Sequence, residues 1–148
     1  MIYVGIIQGK GLDLRGKIDT EIFGYDTLDD INQKIQDYAS HSNIKLKFYQ
    51  SNVESEVITI LNGLRASGVD ALIFNPGGFT GSPGGIAFAL QELTIPVVEV
   101  HTTNPASRGI ISQVQGSCSG SVYGFGISSY IVALTGLLNI CIRNANEV

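Results

Sequence analysis

The strongest constraint on the fold is a regular alternation along the chain. Short runs of β-branched and apolar residues alternate with longer segments in which apolar residues recur at helical spacing. The runs are typical of strands buried on both faces, as in parallel sheets. They predict five strands, at Ile2–Ile7, Ile44–Gln50, Ala71–Phe74, Val97–Val100 and Val122–Phe125.

Helices are predicted between these strands. Asp26 or Thr27 can cap the first of them, which should end near His41, and two acidic residues stand in its first turn, where the helix dipole favours them. Apolar spacing predicts three more helices, over 53–64, 86–93 and 127–141. Right-handed βαβ crossovers then imply an α/β fold, a doubly wound parallel sheet with helices on both faces, for which we expect the order 2-1-3-4-5.

Composition narrows the class of protein. The 148 residues, 44% of them hydrophobic, fit one domain over 1–148 with a full core. A net charge of −4 argues against nucleic acid or an anionic membrane surface as a partner. Met1 leads directly into the first strand without the basic start of a signal peptide, so we expect a cytoplasmic protein. Only 15% of residues are charged, which predicts that some apolar surface is buried in a homo-oligomer.

Polar residues cluster where the predicted strands end. They are Gln8–Gly11, Gln50–Asn52, Asn75 and His101–Asn104. Ligands of doubly wound sheets bind beyond the carboxyl ends of the strands. We therefore expect a small-molecule site there.

The sequence contains no complete motif for a nucleotide cofactor or a zinc ion. Gly11–Lys17 has the glycine and lysine spacing of a P-loop, but Ile18 replaces the magnesium-binding hydroxyl and the next helix starts too late. The two histidines and two cysteines are too scattered for a zinc site. We expect no cofactor and no metal.

Several short sequence segments at these loops resemble those of one family. They are Glu21–Gly24 (EIFG), Phe48–Glu56 (FYQSNVESE), Asn75–Thr80 (NPGGFT) and Ile95–Asn104 (IPVVEVHTTN). In this order they are similar to type II 3-dehydroquinate dehydratase, and the likeness runs over nearly the whole chain. The resemblance implies a flavodoxin-like fold and trimers that pack into dodecamers.

The resemblance also implies a reaction without a cofactor, the loss of water from 3-dehydroquinate. A loop tyrosine takes a proton next to the ketone, a loop arginine lowers the tyrosine pKa, and a histidine protonates the leaving hydroxyl. His101 stands at the general-acid position, with Glu99 beside it as a candidate orienting group. The resemblance assigns substrate binding to Asn75, Thr102, Thr103 and Asn104, and Arg108 is a further candidate.

Other positions depart from the family pattern. Phe23 stands in place of the catalytic tyrosine, and Ile18 stands in place of the loop arginine. Gly11 replaces an asparagine that helps stabilise the enolate. Gly81 replaces a second histidine, and Phe88 replaces the acidic residue that a neighbouring subunit usually lends. Because a phenyl ring has no proton to exchange, these departures predict weak dehydration of 3-dehydroquinate.

Alternatives stay open at this stage. His101 could be a core histidine and Asn75 a turn residue. Tyr25 or the loop cations Lys10, Arg15 and Lys17 could replace the missing loop groups. The protein could be a true dehydratase, an enzyme of altered lyase-type or acid/base activity using His101, or a non-catalytic metabolite-binding or assembly protein. The expected small-molecule ligand is a hydroxylated carboxylate.

Overall fold

The computed structural model describes residues 1–147, which contain one five-stranded sheet. The strands are β1 (Ile2–Lys10), β2 (Ile44–Gln50), β3 (Ala71–Gly77), β4 (Val97–His101) and β5 (Gly120–Tyr123). Every pairing is parallel, and the order is β2-β1-β3-β4-β5. This confirms the predicted α/β fold and strand order.

Within residues 1–147, five α-helices connect the strands or flank them. They are α1 (Thr20–Phe23), α2 (Leu28–Ala39), α3 (Glu54–Ser67), α4 (Ile86–Gln91) and α5 (Ser128–Asn146). Thr27 caps α2 in a reciprocal pair with Asp30, which satisfies two backbone amides that a helix start leaves without partners. No helix within residues 1–147 combines the length and apolar content needed to cross a bilayer.

Side chains alternate between the two faces of the sheet and build two cores. On β3, Ala71 and Ile73 pack with α2 and α5, whereas Leu72 and Phe74 pack with α3 and α4. A strand covered on both faces must be apolar at every position, which explains the continuous apolar runs in the sequence.

The central strands are longer than predicted. β1 continues to Lys10 and β3 to Gly77, and these two residues are partners in the ladder. Close approach of the two strands requires Gly9, since a Cβ there would lie 2.3 Å from the carbonyl oxygen of Pro76. The glycines at these strand ends therefore allow the pairing of β1 and β3 to extend as far as the predicted site.

Candidate functional site

A cavity of about 350 Å³ opens at the carboxyl ends of β1, β3 and β4. Its walls come from three segments, the loop between β1 and α2, the turn after β3, and the segment after β4. The lining residues are Lys10–Leu12, Leu14, Arg15, Ile18, Asp19, Phe23, Asn75, Gly77, Gly78, Thr80, Gly81, His101, Thr103, Pro105, Arg108 and Ile110. The cavity therefore lies at the edge of the sheet where a site was predicted.

His101 is the last residue of β4, and its ring is held by a buried carboxylate. Nε2 lies 2.7 Å from an oxygen of Glu99, which is completely buried. An ionised carboxylate can only accept, so Nε2 carries the proton and donates a hydrogen bond to Glu99. Within residues 1–147 the other ring nitrogen, Nδ1, has no hydrogen-bond partner.

Three hydroxyl groups complete the surroundings of Glu99. Ser112 donates to it at 2.5 Å, Tyr123 at 2.7 Å and Ser121 at 3.3 Å. Burial alone raises the pKa of Glu99, but the hydrogen bonds from His101, Ser112 and Tyr123 outweigh burial and hold that pKa below its usual value. Burial and the neighbouring Glu99 raise the pKa of Tyr123 to about 12, so its phenol stays a donor.

Asn75 lies in β3 at the base of the cavity, and other groups already engage it. Its amide nitrogen donates to the Tyr130 hydroxyl at 2.9 Å, and its oxygen accepts from the Gly77 amide at 3.1 Å. Tyr130 in turn donates to Gln8 at 2.7 Å. Asn75 thus stabilises the turn, as the alternative interpretation of the sequence held, and it also forms part of the cavity wall.

The loop after β1 is fixed by local geometry. Asn52 accepts from the Gly11 amide at 2.8 Å and donates to Asp13 at 3.2 Å. Gly16 adopts a φ of +80°, and a Cβ there would lie 2.7 Å from the carbonyl oxygen of Tyr25. These contacts position the short helix α1 with Phe23 on the cavity wall.

Two arginines lie over the Phe23 ring. The guanidinium carbon of Arg15 is 3.6 Å from the ring centroid and that of Arg108 is 5.4 Å from it. Nη1 of Arg15 is buried and has no hydrogen-bond partner within the described residues. Burial lowers the pKa of Arg15, and the charge of Arg108 adds to this effect, while the influence of Tyr130 opposes it.

The remaining predicted residues separate into two groups. Those that line the cavity are Gly11, Ile18, Gly81, Thr103 and Arg108. Those outside its walls are Thr102, whose carbonyl accepts from Gly126, Asn104, whose side chain accepts from the Ala106 amide, and Phe88, which is exposed on α4. Of the alternative loop groups, Lys10 and Arg15 line the cavity, whereas Lys17 does not and Tyr25 is 81% exposed beyond it.

The sequence did not single out Ser112, Ser121 or Tyr123. A signal existed for two of them, because Glu99 pairs with Ser121 and His101 with Tyr123 in the β4–β5 ladder. Residues two apart on a strand share a face, so a correct register for β5 would have placed both hydroxyls beside Glu99. The prediction from the sequence began β5 at Val122 rather than at Gly120.

No cluster of three or more His, Cys, Asp or Glu side chains suited to a metal occurs in residues 1–147.

Comparisons with known proteins converge on one family. The sequence profile described as Dehydroquinase class II matches residues 2–138. A 3-dehydroquinate dehydratase of Desulforudis audaxviator is 35% identical over 144 residues, which cover 93% of each chain. One of Helicobacter acinonychis is 35% identical over 140 residues, covering 91% of this chain and 83% of the relative. A solved type II dehydroquinase of Butyrivibrio crossotus superposes with a TM-score of 0.88 at 28% identity, covering 92% and 97% of the two chains.

Proposed function

Because this chain belongs to the class II dehydroquinase family, we propose that it binds a small hydroxylated carboxylate in the cavity but dehydrates 3-dehydroquinate only weakly. The observation that carries this proposal is the place of Phe23. Its phenyl ring lies on the cavity wall beneath the guanidinium group of Arg15. The cation is therefore close to the ring, but the ring has no hydroxyl whose pKa it could lower.

The reaction of the named relatives starts with removal of a proton next to a ketone, as the resemblance implies. A phenol near pKa 10 is a poor base at neutral pH unless a cation stabilises its phenolate. Phe23 supplies no oxygen, and Ile18 supplies no charge. Loss of a general base alone lowers a rate by about 10²- to 10⁴-fold. Gly11 and Gly81 add no side-chain donor for a developing enolate.

The groups left in the cavity favour binding of an anion. Lys10, Arg15 and Arg108 all contribute to its walls, and Asp19 is the one acidic residue among the described lining residues. A carboxylate fits the planar fork of an arginine, where two parallel hydrogen bonds can form. This local positive charge contrasts with the net charge of −4 of the whole chain.

A second candidate function is acid/base chemistry by His101 on another hydroxylated carboxylate. The contact between Glu99 and Nε2 of His101 supports it, since a carboxylate that holds one ring nitrogen fixes the tautomer presented by the other. In this candidate Nδ1 would exchange a proton with the substrate. Its activity would require a ligand hydroxyl or carbonyl within hydrogen-bond reach of that nitrogen.

A dehydration assay with 3-dehydroquinate and purified full-length protein tests the proposal. We expect a turnover at least about 10²-fold below that of a relative measured in parallel. The double substitution Phe23→Tyr with Ile18→Arg should raise it by about tenfold or more, because it restores a phenol and a cation. Tyr25→Phe is the matched control and should change nothing, since Tyr25 lies outside the cavity. An ordinary enzymatic rate in the unaltered protein would refute the proposal.

A further inference from the structure

Resting on the proposed function, we propose that the group formed by Arg15, Phe23 and Arg108 makes the cavity selective for hydroxylated aromatic carboxylates over saturated, polyhydroxylated ring acids. This group is called the Arg–Phe–Arg cluster below. The simplest ligand of the class is a hydroxybenzoate, which has one carboxylate, one flat apolar ring and one hydroxyl group. Three features of the cavity correspond to these parts.

The first feature is a demand for an anion inside the cluster. The guanidinium groups of Arg15 and Arg108 lie 3.6 and 5.4 Å from the centroid of the same phenyl ring, so two like charges share one small space. Arg108 donates to Thr103 at 3.0 Å, but Nη1 of Arg15 has no acceptor and is shielded from solvent. A buried donor without a partner is costly, and a carboxylate bound between the two guanidinium groups would relieve the repulsion between them.

The second feature is the apolar character of the surrounding wall. Leu14, Ile18 and Ile110 line the cavity and are 40, 51 and 39% exposed. A flat hydrocarbon ring would cover these side chains, whereas a saturated ring with several hydroxyls would bring polar groups against them without partners. Guanidinium groups also stack on aromatic faces, which a saturated ring lacks.

The third feature is that two polar residues of the cavity wall, Asn75 and Thr80, already have hydrogen-bond partners. The Thr80 hydroxyl donates to the Gly77 carbonyl at 2.5 Å, and the Asn75 amide already contacts Tyr130 and Gly77. Nδ1 of His101 has no partner within residues 1–147. Asn75 and Thr80 are therefore less available to a ring with a hydroxyl on most of its carbons, whereas the single hydroxyl of a hydroxybenzoate could pair with Nδ1 of His101.

Isothermal titration of the full-length protein with three probes tests this inference. They are 4-hydroxybenzoate, 4-hydroxybenzamide, which has the same ring without the charge, and quinate, which has the charge on a saturated polyhydroxylated ring. We expect 4-hydroxybenzoate to bind at least about tenfold more tightly than 4-hydroxybenzamide, because the benzamide has no charge for the guanidinium groups to pair with. Quinate should be the weaker of the two carboxylates.

Substitutions in the loop after β1 test whether 4-hydroxybenzoate binds at Arg15. Arg15→Gln should weaken 4-hydroxybenzoate by about tenfold or more, and Arg15→Lys, which keeps the charge but loses the fork, should give an intermediate loss. Lys17→Gln removes a cation from the same loop outside the cavity and should leave the affinity unchanged. Thermal unfolding of each variant shows whether it is folded, and the ranking of the three probes on the unaltered protein depends on no substitution.

The outcomes separate this inference from the proposed function. Quinate binding as tightly as 4-hydroxybenzoate, or more tightly, would overturn the aromatic preference and leave the proposed carboxylate site intact. Equal binding of the benzoate and the benzamide would overturn the anion role of the cluster. Rapid turnover of 3-dehydroquinate would refute the proposed function, whatever the ranking. Lack of binding by all three probes at millimolar concentration would refute both.

Discussion

At the scale of single residues, Glu99 connects the core to the cavity. It is completely buried, and its carboxylate accepts from His101, Ser112, Ser121 and Tyr123. A buried carboxylate is tolerated only when such donors replace the water it has lost. The bond to His101 also orients that ring, so the arrangement that stabilises Glu99 fixes which nitrogen of His101 carries the proton.

Glu99 should make stability depend on pH. Its pKa in the folded protein lies below the usual value near 4.5, so its ionised form contributes stability above that pH. This contribution should be lost as the pH falls from about 4.5 through the lowered pKa, because the unfolded chain binds the proton more readily. Urea unfolding at pH 7, 5, 4 and 3 would measure it. Glu99→Gln should be less stable at pH 7 by about 1–3 kcal/mol and should show a shallower loss of stability on acidification.

Glu92→Gln is the matched control for this experiment. Glu92 is exposed and has no salt bridge among the described residues. Its removal should leave both the stability at pH 7 and the acid dependence close to those of the unaltered protein. A Glu99→Gln variant with an unchanged acid dependence would show that other carboxylates set the pH response.

At the scale of elements, the sequence predicted the long helices and the starts of most strands. It did not predict short helices or the exact ends of strands. The starts of β1 to β4 were predicted, and the α2 cap was narrowed to Asp26 or Thr27, because β-branched runs and capping residues are local signals. The structure has Thr27 as the cap. The four-residue helix α1 was not predicted, since four residues contain barely one turn of periodicity. The ends of β1 and β3 were placed too early, because glycine and proline there suggested turns and the pairing partner is far away in sequence.

Some features of the cavity could likewise be predicted from the sequence, and others could not. The polar residues at the ends of β3 and β4 followed from the general geometry of such sheets. The stacking of Arg15 on Phe23 did not, because it depends on the path of a loop that is fixed by Gly16 and by the distant Asn52. The sequence named Arg15 as one of three loop cations and had no means to choose among them.

Two glycines of α3 allow a paired test of helix energetics. Gly63 is exposed within the helix and nothing lies within 4 Å of a Cβ built on it, whereas Gly68 ends the helix with a φ of +78°. Gly63→Ala should raise the free energy of unfolding by about 0.5–1 kcal/mol, because alanine restricts the unfolded chain and favours the helix. Gly68→Ala should lower it by about 1 kcal/mol, because the left-handed conformation strains a side chain. Urea unfolding measures both, and a loss of stability in Gly63→Ala would contradict the open space at that position.

At the scale of the whole molecule, some large apolar side chains on the helices remain uncovered. Phe88, on the short helix α4, is 68% exposed although its neighbours Ala89 and Leu90 are buried. Such a side chain costs free energy in water unless another surface covers it. The family resemblance implied that this position faces a neighbouring subunit, and an exposed phenylalanine there suits an apolar contact better than a charged one.

The last prediction concerns assembly. Light scattering on the purified protein at about 10 µM should give a mass of three chains of 15.8 kDa or a multiple of three, because the family resemblance implies trimers and burial of apolar surface such as Phe88 would drive their assembly. Phe88→Ser should shift the mass toward smaller species by removing a contact from α4. Tyr38→Ser is the control, since Tyr38 is 41% exposed on α2, on the opposite face of the sheet, and its loss should leave the mass unchanged. A stable monomer of the unaltered protein at this concentration would exclude the trimer. An unchanged mass in Phe88→Ser would show that other surfaces hold the subunits together.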